Sequence, residues 1–235
     1  MFSSDQILKI EKEISSKVDG KTLFDEFSRG RYSTDASVYQ IKPIGVVLPK
    51  DTNDVLNVME YSQKNSIPLL ARGGGSSQCG QTVGESLVLD YSRHQNKILD
   101  LNVDEKLVWV EPGVVLDHLN AYLKPYGLWF PVDVSTSSRA TIGGMSANNS
   151  CGSRSLYYGN MVHNVLAIET ILDDGSIHTF DEIQKNYLAQ KNNQDRFYKI
   201  IDKFIDLRQR VGAEIDENWP TTQRRVGGYN IDLID

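Results

Sequence analysis

Cysteine is scarce in this sequence: Cys79 and Cys151 are the only two in 235 residues. Two are too few for a disulfide framework, and they are not spaced as a metal site. Free thiols fit a reducing cytosol, so a cytoplasmic location is expected. Basic blocks are missing too. The chain has 25 Lys and Arg against 31 Asp and Glu, a net charge of −6, and its isoelectric point is near 5.3. It lacks the clustered Lys/Arg footprint of nucleic-acid binding, so no nucleic-acid partner is expected. Mean hydropathy is −0.38, and no apolar run approaches the ~18 residues of a transmembrane segment. The opening residues Met1, Phe2, Ser3, Ser4 and Asp5 have neither the basic nor the apolar region of a secretory signal, and none is expected. Histidine is limited to His94, His118, His163 and His178. No two stand at i, i+3 or i, i+4, so no metal site is expected. The elbow Gly-x-Ser-x-Gly is absent, which argues against a hydrolase triad. Asp104-Glu105 and Asp173-Asp174 read as solvated turns rather than acid–base pairs. Arg224-Arg225 reads as a solvated pair, with anion binding the alternative.

What remains is ordinary globular composition, 40% apolar and 24% charged. That excludes a disordered tail, a collagen-like rod and a disulfide scaffold. The length suits one large domain or two small ones. Ile7, Leu8, Ile10, Ile14, Val18, Leu23 and Phe24 recur at helical spacing and predict a helix over 5–27, with a break at Asp19-Gly20. Residues 28–39 are polar and turn-rich. Gly45-Val46-Val47-Leu48 predicts a strand ended by Pro49. A helix capped by Asp51 or Thr52 follows and stops near Asn65, and residues 67–71 form a strand again. Strand, helix, strand is the pattern of a βαβ unit with parallel strands. Further strands are predicted over 86–90, 97–101 and 107–111, and a helix over 116–123. Residues 164–172 and 176–180 flank Asp173-Asp174-Gly175, a hairpin signal. A last helix is predicted over 182–211, with Tyr198, Ile201, Phe204, Ile205 and Leu207 on one side. There is no internal repeat and no low-complexity linker. The fold class is α+β, with a βαβ start and an antiparallel second part.

The glycines cluster in two places. Gly73-Gly74-Gly75-Ser76-Ser77-Gln78 follows the strand that ends at Ala71-Arg72. Three consecutive glycines cost chain entropy and suit a backbone that must approach something closely. Successive exposed N–H groups form an anion nest, and Ser76 and Ser77 add hydroxyls, so a diphosphate is a natural guest. A flexible turn is the alternative. The dinucleotide fingerprint Gly-x-Gly-x-x-Gly and the Walker Gly-Lys-Ser/Thr are both absent. The second cluster runs over residues 131–152 and continues through Gly159. It is poor in long aliphatics and rich in small polar residues and glycine. A loop this long is uncommon unless functional, and a floppy surface loop is the alternative.

Residues 31–39 (RYSTDASVY), 71–77 (ARGGGSS), 110–114 (VEPGV), 131–159 and 165–175 occur in one order. Together they resemble the FAD-binding domain of the vanillyl-alcohol oxidase / p-cresol methylhydroxylase superfamily. Within it they are most similar to the FAD-linked D-2-hydroxyacid dehydrogenases, the group of D-lactate dehydrogenase, glycolate oxidase subunit and D-2-hydroxyglutarate dehydrogenase. Residues 221–230 (TTQRRVGGYN) look like the version found in long flavoproteins that also carry an iron–sulfur region.

The resemblance implies a two-subdomain FAD-binding fold. A small βαβ subdomain and a second subdomain with an antiparallel sheet and flanking helices would hold FAD between them. The expected division is an N-terminal helical segment over 1–39, a first FAD-binding subdomain over 40–105 and a second over 106–235. Gly73, Gly74, Gly75, Ser76 and Ser77 would wrap the FAD diphosphate, flanked by Arg72 and Gln78. Asp133, Ser135, Thr141, Gly143, Gly144, Asn148, Asn149, Gly152 and Ser153 would line the flavin, ribityl and diphosphate portions. Ile142, Tyr158 and Gly159 belong to the same cofactor-binding set, and Ile168 would contact the adenine end. A dianionic diphosphate in an acidic protein needs many N–H and O–H donors, and a planar isoalloxazine needs small neighbours.

Two departures from the family pattern matter. Some members attach FAD through a histidine in the first glycine loop; Gly74-Gly75-Ser76 has none, so non-covalent FAD is expected. In the family, a substrate cap with the catalytic residues and any metal ligands follows the FAD domain. The chain ends where that cap would begin, and the iron–sulfur cysteines are absent. It is therefore expected to be a domain of a longer protein, and no catalytic residue is assigned. The implied activity is oxidation of a D-2-hydroxyacid, with electrons passed to a non-nicotinamide acceptor, an iron–sulfur region of the longer protein being one option. Peripheral membrane attachment of that longer protein stays open. One alternative is a flavin- or nucleotide-binding module without turnover. Another is an FAD-dependent enolpyruvyl-sugar reductase, which residues 31–39 and 221–230 argue against. Cys79 and Cys151 read as two unrelated small residues, with free thiols near the diphosphate the alternative.

Overall fold

Val46, Val47, Leu87, Val88 and Leu89 are almost completely withdrawn from water. Apolar runs buried on both faces are the mark of a parallel sheet covered on each side. In the computed structural model, which describes residues 2–181, 195–222 and 229–234, they form its centre. Strands β1 (Lys21–Leu23), β2 (Gly45–Leu48), β3 (Leu69–Arg72) and β4 (Leu87–Asp90) lie in the order β1-β2-β4-β3. β4 runs parallel to both β2 and β3, and β1 is antiparallel on the β2 edge. The expected βαβ unit is present, but β4 is inserted between its two strands.

Side chains alternate across a strand, so the central pair divides its residues between two faces. Val47, Leu87 and Leu89 pack with Ile10 and Ile14 of α1 (Ser4–Ser15) and Val55, Val58 and Tyr61 of α3 (Thr52–Asn65). Val46, Leu48 and Val88 face the other way, towards Leu23, Tyr32 and Leu70. Each such fully buried aliphatic stabilises the fold by about 1.5–3 kcal/mol. Helix α3 begins where expected. The Asp51 carboxylate accepts the amides of Asn53 (2.9 Å) and Asp54 (3.2 Å), the usual N-cap arrangement. It ends at Asn65, with Ser66 in the left-handed region at φ 53.

The helix expected over 5–27 is corrected to three elements: α1, β1 and α2 (Glu26–Arg31). The break is enforced from far along the chain. The buried Asp54 carboxylate accepts the amides of Asp19 (2.8 Å), Gly20 (2.9 Å) and Lys50 (2.7 Å). A Cβ at Gly20 would lie 2.2 Å from the Leu48 carbonyl oxygen, so the turn is pressed against the end of β2.

The second part has its own core of Val114, Leu116, Leu119, Leu123, Val132, Ala140, Ile142, Met145 and Met161. Helix α4 (Leu116–Leu123) supplies three of these residues. The antiparallel hairpin β5 (Ile98–Asn102) and β6 (Leu107–Val110) packs on it through Ile98, Leu101, Val108 and Val110. The long polar segment expected over 131–152 is not loop throughout. It contains α5 (Ile142–Ala147), capped by Thr141, whose hydroxyl accepts the Gly144 amide at 3.3 Å. Helix α6 (Ser155–Tyr158) follows. Strands β7 (Ile168–Ile171) and β8 (Ile177–Phe180) form the expected hairpin, with Gly175 at φ +83 in its turn. Asp173 and Asp174 are not merely solvated, because Arg196 pairs with both. Helix α7 (Arg196–Asn218) begins within the last expected helix, over 182–211, and extends seven residues past its end. Ile201 is buried on it, whereas Phe204 is 47% exposed and off the expected apolar side. Residues 182–194 of that expected helix, and residues 223–228 with Arg224-Arg225, lie outside the described residues.

Candidate functional site

The glycine loop leaves the carboxyl end of β3, where open parallel sheets commonly place their ligand sites. Its base is a polar clamp. Arg72, the last residue of β3, donates from Nη1 to the carbonyls of Tyr32 (3.2 Å) and Thr82 (2.9 Å), and from Nη2 to that of Thr34 (2.8 Å). Its guanidinium lies 5.2 Å from the centroid of the Tyr32 ring. The Tyr32 hydroxyl donates to Asp90 Oδ2 at 2.6 Å. Asp90 ends β4 in register with Arg72, and its Oδ1 accepts the amide (2.8 Å) and hydroxyl (2.6 Å) of Ser92. Burial, then the bond to Asp90, raises the Tyr32 hydroxyl well above the ordinary tyrosine range. Burial lowers Arg72 from its usual value, opposed by Asp90, Tyr32 and Asp35. Nearby, burial raises Asp35, but hydrogen bonds from Ser37 and Thr82 outweigh it and leave the carboxyl below its ordinary value.

The structure gives the three glycines partners within the protein. A Cβ at Gly73 would sit 2.0 Å from Thr141 Oγ1, and one at Gly74 would sit 2.2 Å from the Arg139 carbonyl oxygen. Gly75 has φ +63, and a Cβ there would meet Arg72 Nη2 at 2.4 Å. The close approach expected of this loop is thus made to the second core. The amides of Gly74, Gly75, Ser76, Ser77 and Gln78 have no protein acceptor among the described residues. Five successive unengaged N–H groups suit an anion. The Ser77 hydroxyl is turned to Gln81 Oε1 at 2.5 Å, and Gln81 Nε2 donates to Asn148 Oδ1 at 2.9 Å, linking the two loops. Gln78 is exposed.

The second cluster divides into three groups. Thr141, Ile142, Gly143 and Gly144 start α5 against the first loop. Thr141 and Ile142 are buried, and Gly143 donates its amide to the Pro112 carbonyl at 2.9 Å. Asn148 and Asn149 end α5, with Asn149 at φ 44. Asn149 Oδ1 accepts the Val162 amide (3.0 Å), and its Nδ2 donates to Asn230 Oδ1 (3.2 Å). Asn149 and Ile168 share a pocket of about 290 Å³ whose walls also include Ser146, Val162, Phe180 and Asn230. A flat heteroaromatic ring with polar edges fits such walls.

Asp133, Gly152 and Ser153 form the next group. Asp133 accepts the Ser153 hydroxyl (2.7 Å) and the Arg154 amide (2.9 Å). A Cβ at Gly152 would lie 2.1 Å from the Asp133 carbonyl oxygen. Burial raises the Asp133 carboxyl, but these hydrogen bonds prevail and hold it below its ordinary value. Tyr158 belongs to a surface aromatic group, edge-on to Trp129 with centroids 5.2 Å apart, and Gly159 follows at φ +78. Ser135 is exposed. Cys79 is exposed and Cys151 partly covered, with no disulfide between them. Among the described residues no group of three His, Cys, Asp or Glu could hold a metal. Among them, too, no helix is long and apolar enough to cross a membrane.

Sequence reasoning missed Tyr32, Asp90, Gln81, Arg139 and Asn230. The one available signal was Asp90, an acid closing an otherwise apolar buried strand.

Three comparisons bear on this site. The FAD binding domain family matches residues 43–181. A D-2-hydroxyglutarate dehydrogenase of Pantoea ananatis is 40% identical over 220 residues, covering 90% of this chain and 21% of that protein. A glycolate oxidase subunit of Bacillus subtilis is 35% identical over 177 residues, covering 73% of this chain and 37% of that one. The chain therefore spans about a fifth of the length of the dehydrogenase that it matches. Among solved structures, alkyldihydroxyacetonephosphate synthase has the same fold, with a TM-score of 0.65 at 20% identity, covering 79% of this chain and 36% of that one.

Proposed function

Because this chain belongs to the FAD binding domain family, we propose that it is the flavin-holding part of an enzyme that oxidises a D-2-hydroxyacid. The observation that carries the reading is the strip of amides from Gly74 to Gln78, unengaged by protein acceptors among the described residues. The strip fits a diphosphate, and the pocket beside Asn149 and Ile168 fits a heteroaromatic ring of the same cofactor. When bound, FAD supplies the two-electron redox chemistry. The chain's own residues bind and orient it. Gly74 to Gln78 hold the diphosphate through N–H groups. Thr141 and Arg139 back the loop so that those groups keep one direction. Asn148 and Asn149 stand where the loop meets the pocket, and Asn149 keeps hydrogen-bonding capacity towards a ligand in it. No histidine occurs in the glycine loop, so attachment is non-covalent. Asp133 acts indirectly: it holds Gly152 and Ser153 in place.

The subdomain division over 40–105 and 106–235 is part of the reading, each part having a core of its own, although the β5–β6 hairpin straddles that boundary and packs on the second core. The substrate class follows from relatives named for D-2-hydroxyglutarate and glycolate. The electron acceptor is a non-nicotinamide one. The test is an absorption spectrum of the purified chain after FAD addition and desalting. Retained flavin bands near ~370 and ~450 nm, released by acid, are expected. Bleaching of the ~450 nm band by D-2-hydroxyglutarate, D-lactate or glycolate without air would assign the substrate to this chain. Bleaching only in the presence of further residues of a longer protein would place the acid–base groups outside it. No retained flavin at any FAD concentration would overturn the reading.

A further inference from the structure

The Arg72 clamp is hydrogen-bonded and partly buried, with Asp90 buried at its base, yet the phosphate-binding reading does not use it. All the Arg72 hydrogen bonds described above run to carbonyl oxygens of Tyr32, Thr34 and Thr82, none of which belongs to the glycine loop. Its contact with that loop is steric: the guanidinium occupies the space a Cβ at Gly75 would take. The guanidinium is held from below by the Tyr32 ring, and that ring is held by its hydroxyl on Asp90. Asp90 is fixed in turn by Ser92 and by its register opposite Arg72 at the sheet edge. Movement of any member lets the guanidinium shift. Gly75, in the left-handed region at φ +63, then loses the guanidinium that fills the space beside its Cα.

We propose that Asp90, Tyr32 and Arg72 form a positioning clamp that sets the direction of the Gly74–Gln78 amides through contact of Arg72 with Gly75. The clamp thereby governs affinity for the diphosphate of a dinucleotide cofactor. The proposal rests on the FAD reading above. The three residues are positioning residues and touch no reacting atom. A fork bonded to three carbonyls is not replaced by lysine, which supplies a point charge without the planar geometry.

The experiment titrates wild type, Tyr32→Phe, Arg72→Lys and Gly75→Ala with FAD by flavin fluorescence, alongside thermal melting without FAD. Tyr32→Phe and Arg72→Lys are each expected to weaken FAD binding about tenfold in the folded protein. Gly75→Ala should weaken it in wild type and have a smaller effect in the Arg72→Lys background, because residues in contact couple. A purely structural role would lower the melting temperature, leave FAD affinity of the folded protein unchanged and make positions 72 and 75 additive. That result overturns the clamp. If Arg72→Lys does not fold, Tyr32→Phe, which keeps the ring, decides the question alone. Wild type that binds FAD beside variants that bind equally well overturns the clamp and leaves the FAD reading standing. Wild type that binds no FAD overturns both.

Discussion

Gly74→Ala should loosen the contact between the two cores. The added methyl would lie 2.2 Å from the Arg139 carbonyl oxygen and 2.9 Å from its carbon. A carbon–oxygen contact of ordinary length is longer by on the order of 1 Å, so one side must retreat. The Arg139 side cannot swing away as a side chain could. It lies in a turn where Arg139 and Ala140 both donate their amides to the Thr136 carbonyl at 2.8 Å. Overpacking of this kind costs about 1–3 kcal/mol. In a chain of this size each kcal/mol lowers the melting temperature by about 2–4 °C, so a fall of roughly 2–12 °C is expected. Gly73→Ala meets a side-chain atom instead, Thr141 Oγ1 at 2.0 Å. Its cost should therefore shrink when combined with Thr141→Ala, whereas that of Gly74→Ala should not. Gly30→Ala in α2 is the control: nothing lies within 4 Å of its added Cβ. It should melt at or above the wild-type temperature, since alanine favours a helix by about 1 kcal/mol over glycine. Melting followed by circular dichroism, with FAD titration in parallel, reads all of these variants. A Gly74→Ala protein that melts within about 1 °C of wild type and binds FAD unchanged would refute the contact as described.

Asp54→Ala removes the acceptor of three amides, those of Asp19, Gly20 and Lys50. It should cost about 3 kcal/mol in denaturant unfolding, and a loss under about 1 kcal/mol would mean that water replaces the carboxylate. Asp133 titrates below its ordinary value in the folded chain because Ser153 and Arg154 donate to it. The folded state then binds fewer protons, so this stabilisation is whole above about pH 4 and fades as pH falls through the lower folded value. Asp133→Asn should flatten that acid limb of the stability profile; an unchanged limb counts against the assignment. Burial pushes the Tyr91 hydroxyl up to about 12, and burial with a bond to Glu13 does the same for Tyr61. Phenolate absorbance should show these two ionising after the exposed tyrosines. Their stabilisation is whole below the ordinary tyrosine value near about 10 and is lost as pH rises through the folded one. Complete ionisation near pH 10 without unfolding would contradict the burial.

Sequence reasoning did best where the determinant was local. The Asp51 cap, the end of α3 at Asn65, the helix Leu116–Leu123 and the hairpin around Gly175 each depend on a few neighbouring residues. It did worse where the determinant was remote. Gly20 breaks the first helix because Leu48 and Asp54 lie against it. β4 lies between β2 and β3, an order set by pairing between distant strands that no local residue pattern specifies. Helix α5 has two glycines and six residues. It is held by an antiparallel bridge between Val115 and Thr141 and by the Gly143 bond to Pro112, neither of which its composition announces. At the site, the packing of Gly73 and Gly74 against Thr141 and Arg139 depends on residues far along the chain, which the loop's own composition does not announce.

That glycine loop ties two equilibria together. Gly73 and Gly74 join the two cores, and the amides from Gly74 onward are the ones proposed to hold the diphosphate. Whatever anion engages those amides therefore also favours the closed seam, and by linkage a closed seam favours the anion. Without cofactor, the seam around 73–74 and 139–141 should be the first place where the two cores part. Amide hydrogen exchange there should slow on flavin loading more than in the sheet around Val88, which is packed among Val46, Leu48 and the other strands of the same sheet. The triple glycine is in this sense a thermodynamic coupler: a mutation chosen to disturb docking will be read as a binding defect, and one chosen to disturb binding as a docking defect.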